Sequence, residues 1–129
     1  MHSVHENNLF FKDLANAMAK YEQDPIFKSH PFSDDYEVQW QKNLGSGISG
    51  PVRLCLHRES GKRYALKVLL DRPKARKEVT LHWLCSGSEY IVRAIDVYVN
   101  EIKLPGDSVA KRGILMLLFF NLLTSPSTG

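Results

Sequence analysis

No helix can be drawn through the residues that follow Gly45-Ser46-Gly47-Ile48-Ser49-Gly50. The G-x-G-x-x-G run by itself fits two phosphate cradles. In the first, the third glycine opens a helix whose N-terminus holds a pyrophosphate, and an acidic residue follows about 20 positions later. Asp71, 21 residues after Gly50, would satisfy that spacing. The intervening residues rule the arrangement out. Pro51 comes next, and then Val52, Leu54 and Leu56 alternate with Arg53, Cys55 and His57, a period of two rather than 3.6. Glu59-Ser60-Gly61-Lys62 then reads as a turn. The glycine run therefore joins two antiparallel strands, and the chain around it is a meander.

The same periodicity organises the rest. Val38 and Trp40 lead a strand into Leu44, and Tyr64 to Leu70 forms a third strand after the turn. Asp71 and Pro73 mark a helix start, with Ala75, Val79, Leu81, His82 and Cys85 as its apolar face and Ser86-Gly87-Ser88 as its end. Two more strands follow, Ile91 to Glu101 and Gly113 to Phe120, separated by Pro105-Gly106-Asp107. The expected class is α+β, a five-stranded antiparallel sheet with one helix between its third and fourth strands. Ahead of it, Phe10, Leu14, Ala15, Met18 and Tyr21 predict an amphipathic N-terminal helix over residues 9–22, and the Pro- and Ser-containing residues 24–35 read as a linker.

Charge and cysteine usage narrow the partners. Seventeen Lys and Arg against 14 Asp and Glu leave a formal charge of +3, too diffuse to argue for a nucleic-acid or membrane partner. Arg72, Lys74, Arg76 and Lys77 are the basic cluster, but no aromatic stacking platform accompanies them, so they read as solvated first turns of the helix. Ile114 to Phe120, the longest apolar run, has seven residues, whereas a membrane helix needs about 20. Without a basic, then apolar, leader at the N-terminus, and with only Cys55 and Cys85, the chain reads as a protein of a reducing compartment. His2 with His5, and His82 with Cys85, offer two ligands each where a metal needs three or four, so no metal site is expected.

The chemistry resides at Lys67. An ammonium flanked by Ala65, Leu66, Val68, Leu69 and Leu70 is costly to place unless it meets a negative partner. Nucleotide phosphates beneath the glycine loop are one such partner. A carboxylate on the next helix is the other, and Glu78 is the only acidic residue between Asp71 and Glu89.

The glycine run followed by Val52, the Ala65-Leu66-Lys67 motif and the helix glutamate occur in the order and spacing of the N-terminal lobe of eukaryotic protein kinases, which the chain resembles. Gly47 to Arg53, Ala65 to Arg76 and Glu78-Val79-x-Leu81-His82 are similar to the MAP kinase-activated protein kinases, most of all the PRAK subtype, while His82-Trp83 and Ile91 to Tyr98 also resemble the other members of that group. The resemblance implies an N-terminal extension over 1–32, a partial kinase domain over 33–118 whose helix is equivalent to αC, and a divergent tail over 119–129. It implies ATP as ligand. Leu44, Gly45, Ser46, Gly47, Ile48, Ser49 and Gly50 would lie over the phosphates and adenine, and Val52 and Ala65 would line adenine. Lys67 would contact the α- and β-phosphates while Glu78 held it, with Leu117 as gatekeeper.

By the same resemblance the family function is that of a stress-signalling serine/threonine kinase, with a protein substrate, an upstream MAP kinase and a cytoplasmic location, a nuclear pool being the second option. The pattern is lost at about Leu118, and no H-R-D, D-F-G or A-P-E motif occurs in the sequence. Those motifs carry the catalytic aspartate and the magnesium ligands, so magnesium is implied only alongside a large helical lobe. The chain alone is expected to lack phosphotransfer and to bind ATP weakly. An interaction protein that uses a kinase-like lobe without catalysis is the alternative.

Overall fold

The computed structural model describes residues 18–47, 50–104 and 106–120. They form one six-stranded mixed sheet with a helix packed on one face. The strands are β1 (Phe27–Lys28), β2 (Tyr36–Gly47), β3 (Gly50–His57), β4 (Arg63–Leu70), β5 (Ala94–Ile102) and β6 (Lys111–Phe119), and the helix is α1 (Pro73–Cys85). Their spatial order is β1-β5-β6-β4-β3-β2. No helix among the described residues is long and apolar enough to cross a membrane.

The expected five-stranded antiparallel sheet is thus corrected. Its five strands are β2 to β6, antiparallel as anticipated, but β1 adds a sixth and runs parallel to β5, pairing Phe27 with Val97 and Lys28 with Tyr98. A two-residue parallel strand has no alternation to read, and Pro25 and Pro31 on either side imitate a linker. The following residues are anchored as well. A 3-10 turn over Phe32–Asp34 buries Phe32, whose ring stacks on Tyr36 at 5.3 Å and meets Tyr98 edge-on at 5.5 Å. The Asn100 side chain accepts from the Phe32 N–H at 2.7 Å and donates to the His30 carbonyl at 3.1 Å. Of the expected N-terminal helix, Lys20–Glu22 form a 3-10 turn; the stretch before residue 18 lies outside the described residues, as do 121–129 of the divergent tail.

Alternation divides the core between the two faces of the sheet. Ala65, Leu69, Val97, Val99, Ile114, Met116 and Leu118 point to the face covered by Val79 and Trp83 of α1 and by Tyr21. Leu66, Tyr98, Leu115 and Leu117 point to the other, with Phe32, Tyr36 and Cys55. The β3–β4 hairpin closes through Gly61, whose φ of 72° suits a residue without Cβ. Helix α1 starts with Pro73 in its first turn, where the missing N–H costs nothing. Its buried side differs from the expected one: Val79 and Trp83 are inside, whereas Leu81 is 64% exposed and Cys85 is also exposed.

Candidate functional site

The site is assembled at one end of the helix-bearing face, where β2, β3, β4 and α1 converge. β2 and β3 pair Gly45 with Val52, Ser46 with Pro51 and Gly47 with Gly50, so the glycine run folds back on itself as a hairpin. Ile48 and Ser49, at its tip, lie outside the described residues. Just before it, β2 bulges: Gln39 pairs with Leu54, Asn43 with Arg53 and Gly45 with Val52, so residues 40–42 and Leu44 of β2 face no partner. Bulges of this kind bend a strand and increase its twist.

Lys67 stands in the middle of this frame, paired with Val52 on one side and with Met116 on the other. It shares a face with Ala65 and Leu69 because the strand period is two. Its side chain is only 18% exposed, and its Nζ donates to Glu78 Oε1 at 3.4 Å, across from β4 to α1. Leu44 and Val52, both half-buried, pack against the cluster that contains Ala65, Met116 and Leu118. Of the residues named from the sequence, Leu44, Val52, Ala65, Lys67 and Glu78 are therefore brought together. Gly45, Ser46, Gly47 and Gly50 form the backbone of the hairpin beside them.

Chemically the arrangement is a mostly buried cation beside an apolar surface, with a glycine hairpin at its edge. An ammonium has three donors, and one long bond to Glu78 leaves capacity for anionic oxygens. That donor set suits a nucleotide phosphate. Among the described residues no three His, Cys, Asp or Glu side chains converge, which supplies no ligand set for a metal ion.

No protein-family model matches the chain. The MAP kinase-activated protein kinase 5 of Homo sapiens is 40% identical over 97 residues, 75% of this chain and 20% of that protein. The MAP kinase-activated protein kinase 2 of Drosophila melanogaster is 54% identical over 76 residues, 59% of this chain and 21% of that protein. The Homo sapiens MAP kinase-activated protein kinase 2 is 47% identical over 73 residues, 57% of this chain and 18% of that protein. Over that stretch the chain is a homologue of the MAP kinase-activated protein kinases. It spans about a fifth of the length of these relatives.

The kinase N-lobe-like frame corrects one role taken from the resemblance. Leu117 is not on the site face: it is wholly buried on the opposite side with Leu66 and Tyr98. Met116, paired with Lys67, and Leu118, paired with Ala65, are the β6 residues on the lysine's face, followed by half-buried Phe120. The register of β4 against β6 decides this, and no spacing within either strand reveals it.

A second feature escaped the sequence reading. Asp71, whose side chain is 10% exposed, accepts from Arg76 Nε at 2.7 Å and Nη2 at 3.0 Å, and from Arg112 Nε at 2.9 Å. Hydrogen bonding from Arg76, then the two nearby positive charges, holds its carboxyl below the usual carboxylate range against the opposing effect of burial. Asp71 thus ties α1 to β6 rather than capping the helix. An acidic residue five positions before an arginine was the available signal.

Proposed function

We propose that residues 36–120 form an ATP-holding lobe of the MAP kinase-activated type. The observation that carries this is the Lys67–Glu78 contact set beside the apolar surface of Leu44, Val52 and Ala65. In this reading the adenine lies against Leu44, Val52, Ala65 and Leu118. The backbone of residues 45–50 covers the phosphates, and Lys67, oriented by Glu78, donates to the α- and β-phosphates. Phosphoryl transfer rests on positioned charge and a positioned base. The sequence contains no H-R-D or D-F-G motif to supply them, so by itself the chain binds without transferring. A protein substrate, an upstream MAP kinase and magnesium belong to the reading only in a chain that also carries a catalytic lobe.

The test is a fluorescence titration of the 129-residue chain with a trinitrophenyl-ATP probe, competed by ATP. Weak saturable binding is expected, reduced about tenfold by Lys67→Met, since a hydrogen bond to a charged group is worth about 1.5–3 kcal/mol. Binding unaffected by Lys67→Met would refute the assignment. One observation favours the interaction-protein alternative: a shallow groove on the outer side of α1, lined by Arg76, Lys77, Thr80, Leu81 and Leu84, exposes two leucines beside basic side chains.

A further inference from the structure

The Lys67–Glu78 contact depends on where α1 sits, and the sheet alone holds α1 lightly. The helix buries two side chains, Val79 and Trp83. Val79 packs into the sheet cluster, but Trp83 is held largely by the chain that precedes the sheet. The ring of Tyr21 meets Trp83 edge-on at 5.0 Å, and Lys20 Nζ lies 5.1 Å from the Trp83 ring centroid. Trp83 Nε1 donates to the Gln23 carbonyl at 3.1 Å. Near the other end of the helix, the Arg76 guanidinium lies over the Phe27 ring at 4.9 Å.

The same segment is fastened to β5 along its length. Tyr21 Oη donates to the Ala94 carbonyl at 2.5 Å, and Lys20 Nζ donates to the Ile95 carbonyl at 2.9 Å. Phe27 and Lys28 pair with β5 as β1, and Lys28 Nζ is 2.9 Å from Asp96 Oδ1. Residues 20–28 thus bridge two bodies, the sheet and the helix, and grip the helix at positions 76 and 83, on either side of Glu78.

We propose that residues 20–28 are a positioning strap for α1: by clamping Trp83 and Arg76 to β5 they set where Glu78 meets Lys67, and through that pair they tune the nucleotide site. The polar partner of Lys67 is Glu78, on α1, so the strap residues act through the helix. The affinity consequence rests on the nucleotide reading above, whereas the helix consequence does not.

The test uses the full 129-residue chain with Tyr21→Ala, and with Trp83→Phe, which keeps an aromatic ring but loses the bond to Gln23. Amide hydrogen exchange of residues 73–85 is compared with that of the β3–β4 hairpin, and trinitrophenyl-ATP affinity is measured with Glu78 intact and in a Glu78→Gln background. Tyr21→Ala is expected to speed exchange in the helix about tenfold with the hairpin unchanged. It should weaken the probe about fivefold with Glu78 intact, and cause no further loss in Glu78→Gln, because coupling through one residue is non-additive with its removal. Trp83→Phe should give smaller effects of the same sign. Unchanged helix exchange in both variants, or the same fivefold loss in the Glu78→Gln background, would overturn the proposal. If Tyr21→Ala unfolds the protein, helix and hairpin lose protection together and Trp83→Phe decides. If the unsubstituted chain does not bind the probe, the nucleotide reading fails and the helix exchange decides the strap on its own.

Discussion

Replacing Asp71 by Asn removes one negative charge from the junction of β4, α1 and β6 while leaving the shape of the side chain nearly unchanged. The carboxylate accepts three guanidinium bonds of 2.7, 2.9 and 3.0 Å. An Asn side chain offers one acceptor atom in place of two and turns an N–H toward a cation. Bonds to charged groups contribute about 1.5–3 kcal/mol each, but Arg76 and Arg112 are 42% and 62% exposed, so solvent recovers much of the loss. A net cost of about 2 kcal/mol at neutral pH follows, equivalent to about 8 °C in melting temperature for a domain of this size. The pH dependence separates this from a packing effect. The folded-state pKa of Asp71 is depressed, so its stabilisation is present above the unfolded value of 3.8 and is lost as pH falls through the lower folded value. Urea denaturation of both proteins from about pH 7 to about pH 2 should show the difference shrink steadily toward the acid end. A penalty that persists undiminished in acid, or none at pH 7, would refute the assignment of the ion cluster.

Phe32→Ala should cost about 3 kcal/mol in chemical denaturation, since Phe32 is 6% exposed and its ring packs in one cluster with those of Tyr36 and Tyr98. A loss below about 1 kcal/mol would mean that residues 24–35 behave as the linker their composition suggests. The two thiols should differ sharply. Burial pushes Cys55 up to about 12, whereas Cys85 is exposed, so a maleimide at mildly alkaline pH should label one equivalent rapidly and the second only in denaturant. Two rapid equivalents would contradict the buried position of Cys55.

The parts of the fold that were legible in sequence are those fixed by local spacing. Alternation through Val52, Leu54 and Leu56 together with the Ser60-Gly61 turn dictates the β3–β4 hairpin, and an isolated lysine followed eleven residues later by the helix's lone glutamate points to the ion pair now found at 3.4 Å. What escaped depends on residues distant in the chain. Trp83 rather than Leu81 joins Val79 as a buried side chain of α1 because Tyr21 and Gln23, 62 and 60 residues earlier, supply its cover. Leu118 rather than Leu117 faces the site because pairing with Ala65 fixes the register of β6. Two residues of β1 are too few to show any period, and their partners on β5 lie 70 positions further along the chain. Local pattern specifies which residues form strands; which face they present is decided by partners the pattern does not contain.

The fastening of residues 20–28 along β5 also bears on how the protein behaves at high concentration. An outer strand with free carbonyl and amide groups is a template on which another chain can add a strand. On β5 the outward carbonyls of Ala94 and Ile95 are taken by Tyr21 and Lys20, and Val97 and Tyr98 are covered by β1. Unfastening that segment would do more than loosen a helix: it would open the outer edge of β5 to strand addition, so the residues that seat α1 also cover a sheet edge.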